Sequence, residues 1–289
     1  MRGLLLLLAA ALLWSTGGML IKLVDVSPLA VSSGRSIIAV STLILITGRV
    51  PTRPSLAVTR CGILYALTVT TFVAATKLTT AANAIVIQYT APIFVALLSW
   101  RFLGERVTRK DWIAVAIVMI GMTIFFADGL TVGNNLGNLI ALLSGISFAS
   151  LVISLRQIHN QNPVDAIIIG NSIAFVIGLP WLLSSSWSIH SIIGVMLLGI
   201  FQLGLSYYFY TKAIPHVSAL EAVLIPVLEP ILNPVWVFFV MGESPTPIAL
   251  GGAGVILTAV TWRALVRLHQ QRAIESKQRS CSKEIPSAA

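Results

Sequence analysis

Two carboxylates lie inside one long apolar run of this chain, where ionised groups are otherwise scarce. They are Glu221 and Glu229. A charged side chain at membrane depth is costly, so it normally faces a bundle interior or a watery cavity. In helical register Asn233 shares a sector of about 120° with both acids. The resulting polar stripe is suited to bind an ammonium group, a proton or another cation.

Three prolines in the same run limit the hydrogen bonds that its backbone can form. They are Pro226, Pro230 and Pro234. Each proline lacks an N–H group and frees the carbonyl four residues earlier, which here means Ala222, Pro226 and Pro230. These carbonyls lie roughly on one helix face and need partners in lipid, so that face cannot contact hydrocarbon. A broken helix with a buried acid is typical of a transporter binding site.

The other candidate residues come from four further apolar runs. Gln88 and Tyr89 are predicted to form the facing wall of the site. Arg35 offers a bidentate fork for a carboxylate, although snorkelling or pairing with a helix end is the other interpretation. Aromatic surface for an apolar or cationic substrate is predicted at Trp14, Tyr207 and Tyr208. Aromatic residues in a span also serve in packing or in the interfacial belt.

Each candidate acid also has a structural interpretation. Glu229 can hydrogen-bond to backbone groups freed by the prolines, and its two interpretations stay open. Glu221 lies nearer the predicted inner end, where it can be an interfacial acid in water. Glu105 and Glu243 each follow a glycine at a helix end. We expect these two acids to cap or anchor helices rather than to contact substrate.

The composition indicates an integral membrane protein. Of the 289 residues 56% are hydrophobic and 10% are charged, whereas a soluble domain averages about a quarter charged. The net charge of +9 does not indicate a nucleic-acid partner, because the basic residues lie between apolar runs and in a C-terminal tail. We therefore expect the lipid bilayer and a small molecule as partners, and no nucleic acid.

Enzymatic and metal-dependent functions have little support in the sequence. Cys61 and Cys281 fit neither a disulfide framework nor a metal site. The four histidines lie near the ends of apolar runs without the spacing of metal ligands. The sequence also has no nucleophile elbow and no phosphate-cradling glycine loop. We expect no cofactor, no metal and no enzyme activity.

Ten apolar runs approach the length of about 20 residues that a membrane-spanning helix needs. They are Leu4–Leu23, Leu29–Thr47, Cys61–Thr76, Ala81–Phe102, Trp112–Phe126, Leu136–Ile158, Val164–Leu183, Ile189–Thr211, Val217–Met241 and Pro247–Leu268. A count of nine is the alternative, because the turns near Lys77 and Pro215 are very short. The first run is expected to be a retained helix rather than a cleaved signal peptide.

The distribution of Lys and Arg predicts the orientation. With the N-terminus inside and ten spans, sixteen of the 19 Lys and Arg residues fall on the inner side and two on the outer side. Such a bias is typical of cytoplasmic loops, so both termini are predicted to be cytoplasmic. The basic tail at residues 267–289 is expected to be disordered and cytoplasmic.

The two halves of the chain repeat each other. At an offset of 138 the pattern pairs Pro92 with Pro230, Gly104 with Gly242 and Glu105 with Glu243, and at an offset of 134 it pairs Trp14–Lys22 with Phe148–Arg156. The predicted units are residues 1–127 and 134–266, followed by the tail. Because each unit has five spans, the second is threaded in the opposite direction. Inverted repeats of this kind permit alternating access.

These matched motifs resemble the EamA-type repeat of the drug/metabolite transporter superfamily. The residues that carry the resemblance include Pro92, Gly104-Glu105, Leu228-Glu229-Pro230, Trp14-Ser15 and Arg35. The resemblance implies ten helices in two inverted five-helix repeats and the export of small metabolites, amino acids among them. The second half departs from the first at Ser244-Pro245, which replaces Arg106-Val107, and at Asn171, near the place of Arg35.

Our hypothesis is a secondary transporter that exports a small metabolite across the cytoplasmic membrane of a prokaryote. Proton or cation coupling and the oligomeric state are left open. The alternatives are an exporter of cationic drugs, a passive channel, and a membrane-embedded enzyme or assembly subunit without transport. Competition by lipophilic cations would favour the drug exporter, and the absence of saturation kinetics would favour the channel. A catalytic partner for Glu229 would favour the enzyme.

Overall fold

The structure, a computed structural model, describes residues 2–22, 24–241 and 245–283. These residues form fourteen α-helices, and no β-strand occurs among them. The helices are α1 Arg2–Ser15, α2 Gly17–Lys22, α3 Pro28–Thr47, α4 Leu56–Leu78, α5 Ala81–Gln88, α6 Ala91–Leu103, α7 Arg109–Phe125, α8 Asn135–Gln157, α9 Pro163–Ser184, α10 Ile189–Leu197, α11 Ser206–Ala213, α12 Ala219–Leu224, α13 Leu228–Met241 and α14 Pro247–Lys283.

Eight helical segments within the described residues are long and apolar enough to cross a membrane. They are Pro28–Thr47, Leu56–Thr76, Ala81–Leu103, Asn135–Gln157, Pro163–Ser184, Ile189–His216, Ala219–Trp236 and Pro247–Val266. Two shorter helices accompany them, since α1 has 14 residues and α7 has 17. An all-α integral membrane protein is therefore confirmed. The count of ten crossings and their inverted arrangement stay predictions.

Four of the expected apolar runs deviate from a continuous α-helix. The interruptions are Thr16 between α1 and α2, Tyr89 and Thr90 between α5 and α6, the π-helix Leu198–Leu205 between α10 and α11, and the 3₁₀ turn Ile225–Val227 between α12 and α13. An interrupted helix leaves backbone groups to be satisfied by other means. At membrane depth this is tolerated where the segment is buried in protein or lines a water-filled cavity.

The ninth run breaks at the first of its three prolines and stays helical through the others. Pro226 lies in the 3₁₀ turn, Pro230 is in the first turn of α13, and Pro234 lies inside α13. A proline in a first turn costs little, because the N–H that it lacks would have no intrahelical partner there. The expected broken helix is therefore confirmed, with its break at Pro226.

The buried core surrounds these interruptions. Tyr65 of α4 and Tyr210 of α11 are fully buried, and every residue of α12 is buried. In contrast, apolar side chains such as Leu45, Leu183 and Phe239 are between 73% and 83% exposed. Exposed apolar side chains in these numbers would be unfavourable in water. A lipid environment explains them.

Residues 267–283 of the tail do not follow the expectation of disorder. The helix α14 runs without interruption to Lys283, well past the end of its apolar part at about Val266. The physical reason lies in the tail's composition. Residues 267–283 contain neither Gly nor Pro and consist largely of Arg, Gln, Lys, Ala and similar residues that favour the helix. The polar composition that predicted disorder is equally compatible with a polar helix.

Candidate functional site

A hydrogen bond joins the break between α5 and α6 to the break between α12 and α13. Tyr89 follows the last residue of α5, and its hydroxyl donates to Glu229 Oε2 at 2.9 Å. Glu229 is the second residue of α13 and keeps part of its surface accessible. The Tyr89 side chain is buried. The two interrupted helices therefore meet at a carboxylate and a phenol.

Tyrosine hydroxyls also bind two of the carbonyls that the prolines free. The hydroxyl of Tyr210 donates to the carbonyl of Ala222 at 2.9 Å. The hydroxyl of Tyr89 lies 3.3 Å from the carbonyl of Pro226, which is its second acceptor beside Glu229. The prediction that these carbonyls need partners inside the protein is confirmed at both residues. The tyrosines replace backbone donors that a regular helix would supply.

Aromatic rings form a cluster beside this pair. Tyr207 meets Trp14 edge-on, with ring centroids 4.9 Å apart, and it meets Tyr65 in the same way at 4.8 Å. Trp14 also contacts Tyr210, with centroids 5.1 Å apart. Tyr207 and Tyr89 interact electrostatically with Glu229. Such edge-to-face contacts hold ring positions firmly and present π-electron density that favours a cation.

Arg35 lies at the side of this cluster. Its Nη1 donates to Gln202 Oε1 at 3.2 Å, and its charge interacts electrostatically with the hydroxyl groups of Tyr65 and Tyr207. The arginine side chain is 6% exposed, and its Nε has no hydrogen-bond partner within the described structure. Gln202 belongs to the π-helix Leu198–Leu205. A buried guanidinium with neutral neighbours is the second charged feature of this region.

Two predicted residues have partners outside this cluster. Gln88 Nε2 donates to Ser144 Oγ at 2.8 Å, so its side chain contacts α8. Glu221 forms a capping box with Ser218 at the start of α12, where its Oε2 accepts from the Ser218 N–H at 3.0 Å. Glu221 is 8% exposed, so the expectation of an interfacial acid in water is wrong. Burial against its own helix cap is the reason.

Two further predicted residues lie on the elements that form the cluster. Asn233 lies one turn after Glu229 in α13, and its Oδ1 is buried without a hydrogen-bond partner in the described part of the chain. Tyr208 has a different environment from Tyr207, because the Lys212 ammonium lies 5.6 Å from the centre of its ring. Asn233 therefore offers a free acceptor near Glu229, whereas Tyr208 contacts its own helix.

The structure adds three residues that sequence reasoning missed. Tyr65 donates to Asn171 Oδ1 at 3.2 Å, Tyr210 binds the Ala222 carbonyl, and Gln202 binds Arg35. Gln202 had a readable signal, because it is the one amide in the apolar stretch of residues 189–213. The tyrosines had none, since an aromatic residue in a span is usually part of the packing.

The predicted capping role of Glu105 is confirmed, although Glu105 caps a helix other than its own. Its Oε2 accepts from the Ala219 N–H at 2.9 Å, at the start of α12. Its Oε1 pairs with Arg156 Nη2 at 2.6 Å, and Arg156 Nη1 also donates to the Ile214 carbonyl at 2.8 Å. Glu243, the matching acid of the second half, lies outside the described residues.

The groups of this region suit the binding of a charged or aromatic small molecule. Among the described residues no group of three or more His, Cys, Asp and Glu side chains is placed to hold a metal ion. Glu229 contacts a phenol, and the described contacts bring no second acid, histidine or lysine to it. A carboxylate, a guanidinium and several aromatic rings within a helical membrane protein are groups with which a membrane transporter can bind a small charged molecule.

The chain belongs to the EamA-like transporter family, whose model matches residues 1–127 and 135–263. The resemblance to the drug/metabolite transporter superfamily is thereby confirmed. A solved crystal structure has the same fold, with a TM-score of 0.81 at 19% identity, covering 91% of this chain and 96% of that chain. The family indicates a transporter rather than an enzyme.

Three curated relatives illustrate the range of the family. The uncharacterized transporter YwfM of Bacillus subtilis is 27% identical over 58% of this chain and 58% of its own length. The S-adenosylmethionine uptake transporter of Rickettsia felis is 25% identical over 66% of this chain and 67% of its own. The pseudopaline exporter CntI of Pseudomonas aeruginosa is 23% identical over 62% and 64%. The matched segments thus span about three fifths to two thirds of these relatives.

Proposed function

We propose that this protein is a secondary transporter that moves a small metabolite by alternating access between two inverted five-helix repeats. The repeats would occupy residues 1–127 and 134–266, with ten crossings of the cytoplasmic membrane of a prokaryote and both termini inside. Support comes from the two separate matches of the family model and from the interruptions between α5 and α6 and between α12 and α13, which lie at equivalent places in the two halves.

The observation that carries the proposal is the hydrogen bond from Tyr89 to Glu229. It links one interrupted helix of each proposed repeat at the carboxylate. An interface between two such units is where an alternating-access transporter holds its substrate. In the proposed site Glu229 binds a cationic group, Tyr89 orients the carboxylate, and Trp14 and Tyr207 supply ring faces and edges. Asn233 offers one further acceptor.

Gln88 and Glu221 have supporting roles in this proposal. Gln88 ties the broken helix to α8 through Ser144, whose own hydroxyl donates to the Thr68 carbonyl at 3.0 Å. Glu221 stabilises the start of α12 through its capping box. Both residues hold the interrupted helices in position, so their substitution is expected to affect stability before it affects substrate selectivity.

The proposed substrates are small metabolites with an ammonium or other cationic group, such as amino acids, and the proposed direction is export. One relative is named for S-adenosylmethionine uptake and another for pseudopaline export, so S-adenosylmethionine belongs in any substrate panel. An exporter of cationic drugs is the second candidate, favoured by the aromatic rings beside Glu229. Competition by lipophilic cations supports that candidate, and competition by zwitterions supports the metabolite.

Export from cells loaded with amino acids, dipeptides and S-adenosylmethionine tests the proposal. Wild type is compared with Glu229→Gln at matched expression, and Asp25→Asn is the control because Asp25 is an exposed acid outside the cluster. Selective efflux that Glu229→Gln loses and Asp25→Asn keeps is the expected result. Equal efflux by wild type and Glu229→Gln would make Glu229 structural and would refute the proposed site.

The same variants test whether Glu229 carries a proton in the transport cycle. A carboxylate that is protonated on one side of the membrane and ionised on the other makes the rate depend on pH. We expect a pH-dependent efflux in wild type and a flat profile in Glu229→Gln, because the amide does not titrate. An unchanged profile in the variant would exclude Glu229 as the proton carrier.

A further inference from the structure

Arg35 is a buried cation without a counter-charge in the described structure. Its side chain is 6% exposed. The ion pairs among the described residues join Arg156 to Glu105 and Arg263 to Asp111, and neither pair includes Arg35. The charges and dipoles around Arg35 come from two tyrosines and an amide. A guanidinium stays charged at any physiological pH, and leaving it unpaired at membrane depth is costly. The described residues therefore supply no negative charge to pair with the Arg35 guanidinium.

The hydrogen-bonding capacity of Arg35 is also unfilled. A guanidinium has five N–H donors in a planar fork, and the described residues accept one hydrogen bond from it, at Gln202 Oε1. The Nε atom is buried with no acceptor among the described residues. Tyr65 and Asn171 are already bonded to each other, because the Tyr65 hydroxyl donates to Asn171 Oδ1. The acceptors that Arg35 lacks are those that a planar carboxylate would provide.

The π-helix positions Gln202 against this arginine. A Cβ added at Gly199 would lie 2.5 Å from Ile38 Cβ and 2.8 Å from the Arg35 carbonyl, and a Cβ added at Gly204 would lie 2.8 Å from Thr42 Cγ2. Both glycines therefore bring the π-helix close to the part of α3 that carries Arg35. Short π-helical segments inside α-helices often mark functional sites. Here the segment directs an amide to the guanidinium.

We propose that Arg35 and Gln202 form a carboxylate subsite, which makes the substrate a zwitterion rather than a simple cation. The Arg35 fork binds both carboxylate oxygens, and the Gln202 amide N–H₂ donates to the same group while its Oε1 holds the guanidinium. Tyr207 interacts electrostatically with both Arg35 and Glu229, so both charges belong to the surroundings of one side chain. This assignment rests on the proposed function for the cationic end at Glu229.

Transport selectivity provides the first test. For the compound of the panel that wild type exports best, the free acid is compared with its primary amide, which keeps the ammonium group and loses the carboxylate. We expect wild type to prefer the acid by about tenfold or more, the difference that a charge-assisted bidentate contact provides. Arg35→Gln should remove the preference, and Arg35→Lys should keep part of it, because the charge remains without the fork.

A binding measurement that does not depend on transport provides the second test. Acetate is added to purified protein in lipid nanodiscs, and magnetisation transfer from the protein to the acetate methyl protons is recorded by NMR. The signal should be present in wild type and Glu229→Gln and lost in Arg35→Gln. Ser36→Ala is the matched control, since Ser36 is the adjacent buried residue of α3 and has no hydrogen-bond partner among the described side chains.

These two tests separate failure of the subsite from failure of the transporter proposal. Equal acid-to-amide preference in wild type and in well-folded Arg35→Gln and Arg35→Lys overturns the subsite and leaves the proposed function intact. If wild type exports no compound of the panel, the proposed function fails, and the acetate signal still decides the subsite. If Arg35→Gln and Arg35→Lys both retain the acetate signal at full strength, the subsite proposal is overturned.

Discussion

The two interrupted helix pairs, α5–α6 and α12–α13, share a backbone plan and differ in chemistry. Each begins after a hydroxyl cap, with the Thr80 side chain accepting from the Asn83 N–H at 3.1 Å and the Ser218 side chain accepting from the Glu221 N–H at 3.3 Å. Thr80 and Ser218 are equivalent at the offset of 138, as are the positions of the two breaks. The backbone arrangement of cap, helix and break is repeated in the two pairs, whereas the side chains that bind the free backbone groups differ.

The first difference lies at the starts of the two pairs. Asn83 of α5 exchanges neutral hydrogen bonds with Thr131, at 2.9 Å from its Nδ2 to the carbonyl and at 3.0 Å from the Thr131 N–H to its Oδ1. The equivalent residue of α12 is Glu221, and Glu105 adds a second carboxylate there that Arg156 neutralises. Carboxylates at a helix N-terminus are also favoured by the helix dipole. One start is neutral and the other is ionic.

The second difference lies at the breaks. Tyr89 interrupts the first pair, and Pro226 with Glu229 shapes the second. If the two halves exchange conformations during transport, each half cannot form the contacts that the other half made before, because the residues at equivalent positions differ. The two end states of the proposed cycle should therefore differ in free energy.

Loss of Arg156 should have the largest effect on stability. Arg156→Met removes the partner of Glu105 and the donor to the Ile214 carbonyl, two groups at the ionic start of α12. We expect a loss of about 2–3 kcal/mol in the free energy of unfolding, below the value for a fully buried pair because both side chains are about one-fifth exposed. The measurement is chemical unfolding in detergent micelles.

The neighbouring Gln157→Ala is the control for that measurement. Gln157 is exposed and makes a long hydrogen bond of 3.3 Å to the Phe102 carbonyl, so its loss should change stability by less than about 0.5 kcal/mol. High salt should weaken the wild-type protein relative to Arg156→Met, because the ionic contact is partly screened. If high salt reduced the stability lost on Asn83→Ala by as much as the stability lost on Arg156→Met, the distinction between a neutral and an ionic start would be contradicted.

Much of the fold follows from the sequence because its cause is local. Apolar runs and prolines act within one segment, so the approximate positions of the helices and a break in the ninth run were predicted, whereas the structure places that break at Pro226. The partners of the freed carbonyls depend on other helices, and Tyr210 is identified as the partner of Ala222 only by the structure. Arg156 as the partner of Glu105 depends on tertiary structure in the same way.

Two candidate residues show why neighbours in sequence need not share a site. Successive helical residues point about 100° apart, so Gln88 contacts α8 while Tyr89 contacts Glu229. Glu221 had a second readable pattern, because Ser218 followed three residues later by Glu is a capping-box signature. The cost of a charge at membrane depth favours a functional interpretation of Glu221, whereas its hydrogen bonds within the capping box explain its presence.

Tyr89→Phe, a substitution at the helix breaks, should lower the initial rate of efflux by about tenfold. The substitution removes the hydroxyl that donates to Glu229, a hydrogen bond to a charged group of about 1.5–3 kcal/mol. Initial rates of efflux measure the effect, and Tyr208→Phe is the control because Tyr208 lies beside Lys212 instead. Efflux at the wild-type rate in Tyr89→Phe would show that transport does not depend on this hydrogen bond.

Tyr210→Phe should destabilise the second pair without changing a charge. The Ala222 carbonyl is buried and freed by Pro226, so it has no backbone donor once the hydroxyl is removed. We expect a loss of about 1–3 kcal/mol in the free energy of unfolding, the cost of an unsatisfied buried acceptor. The loss should be insensitive to salt, unlike that of Arg156→Met. A change below 0.5 kcal/mol, on the order of a surface substitution, would show that another group binds this carbonyl.

A double-mutant cycle between Pro226 and Tyr210 should give the smallest effect and the sharpest test. Pro226→Ala restores an N–H group that can bind the Ala222 carbonyl within the helix, so the Tyr210 hydroxyl is no longer needed there. The cost of Tyr210→Phe should then fall by about 1 kcal/mol relative to its cost in wild type. Pro226→Ala itself should slow transport, because a continuous α12–α13 helix loses the break that brings Glu229 to Tyr89. Additive stability effects in the cycle would show that the proline and the tyrosine do not serve the same carbonyl, and the second break would then need a different physical cause.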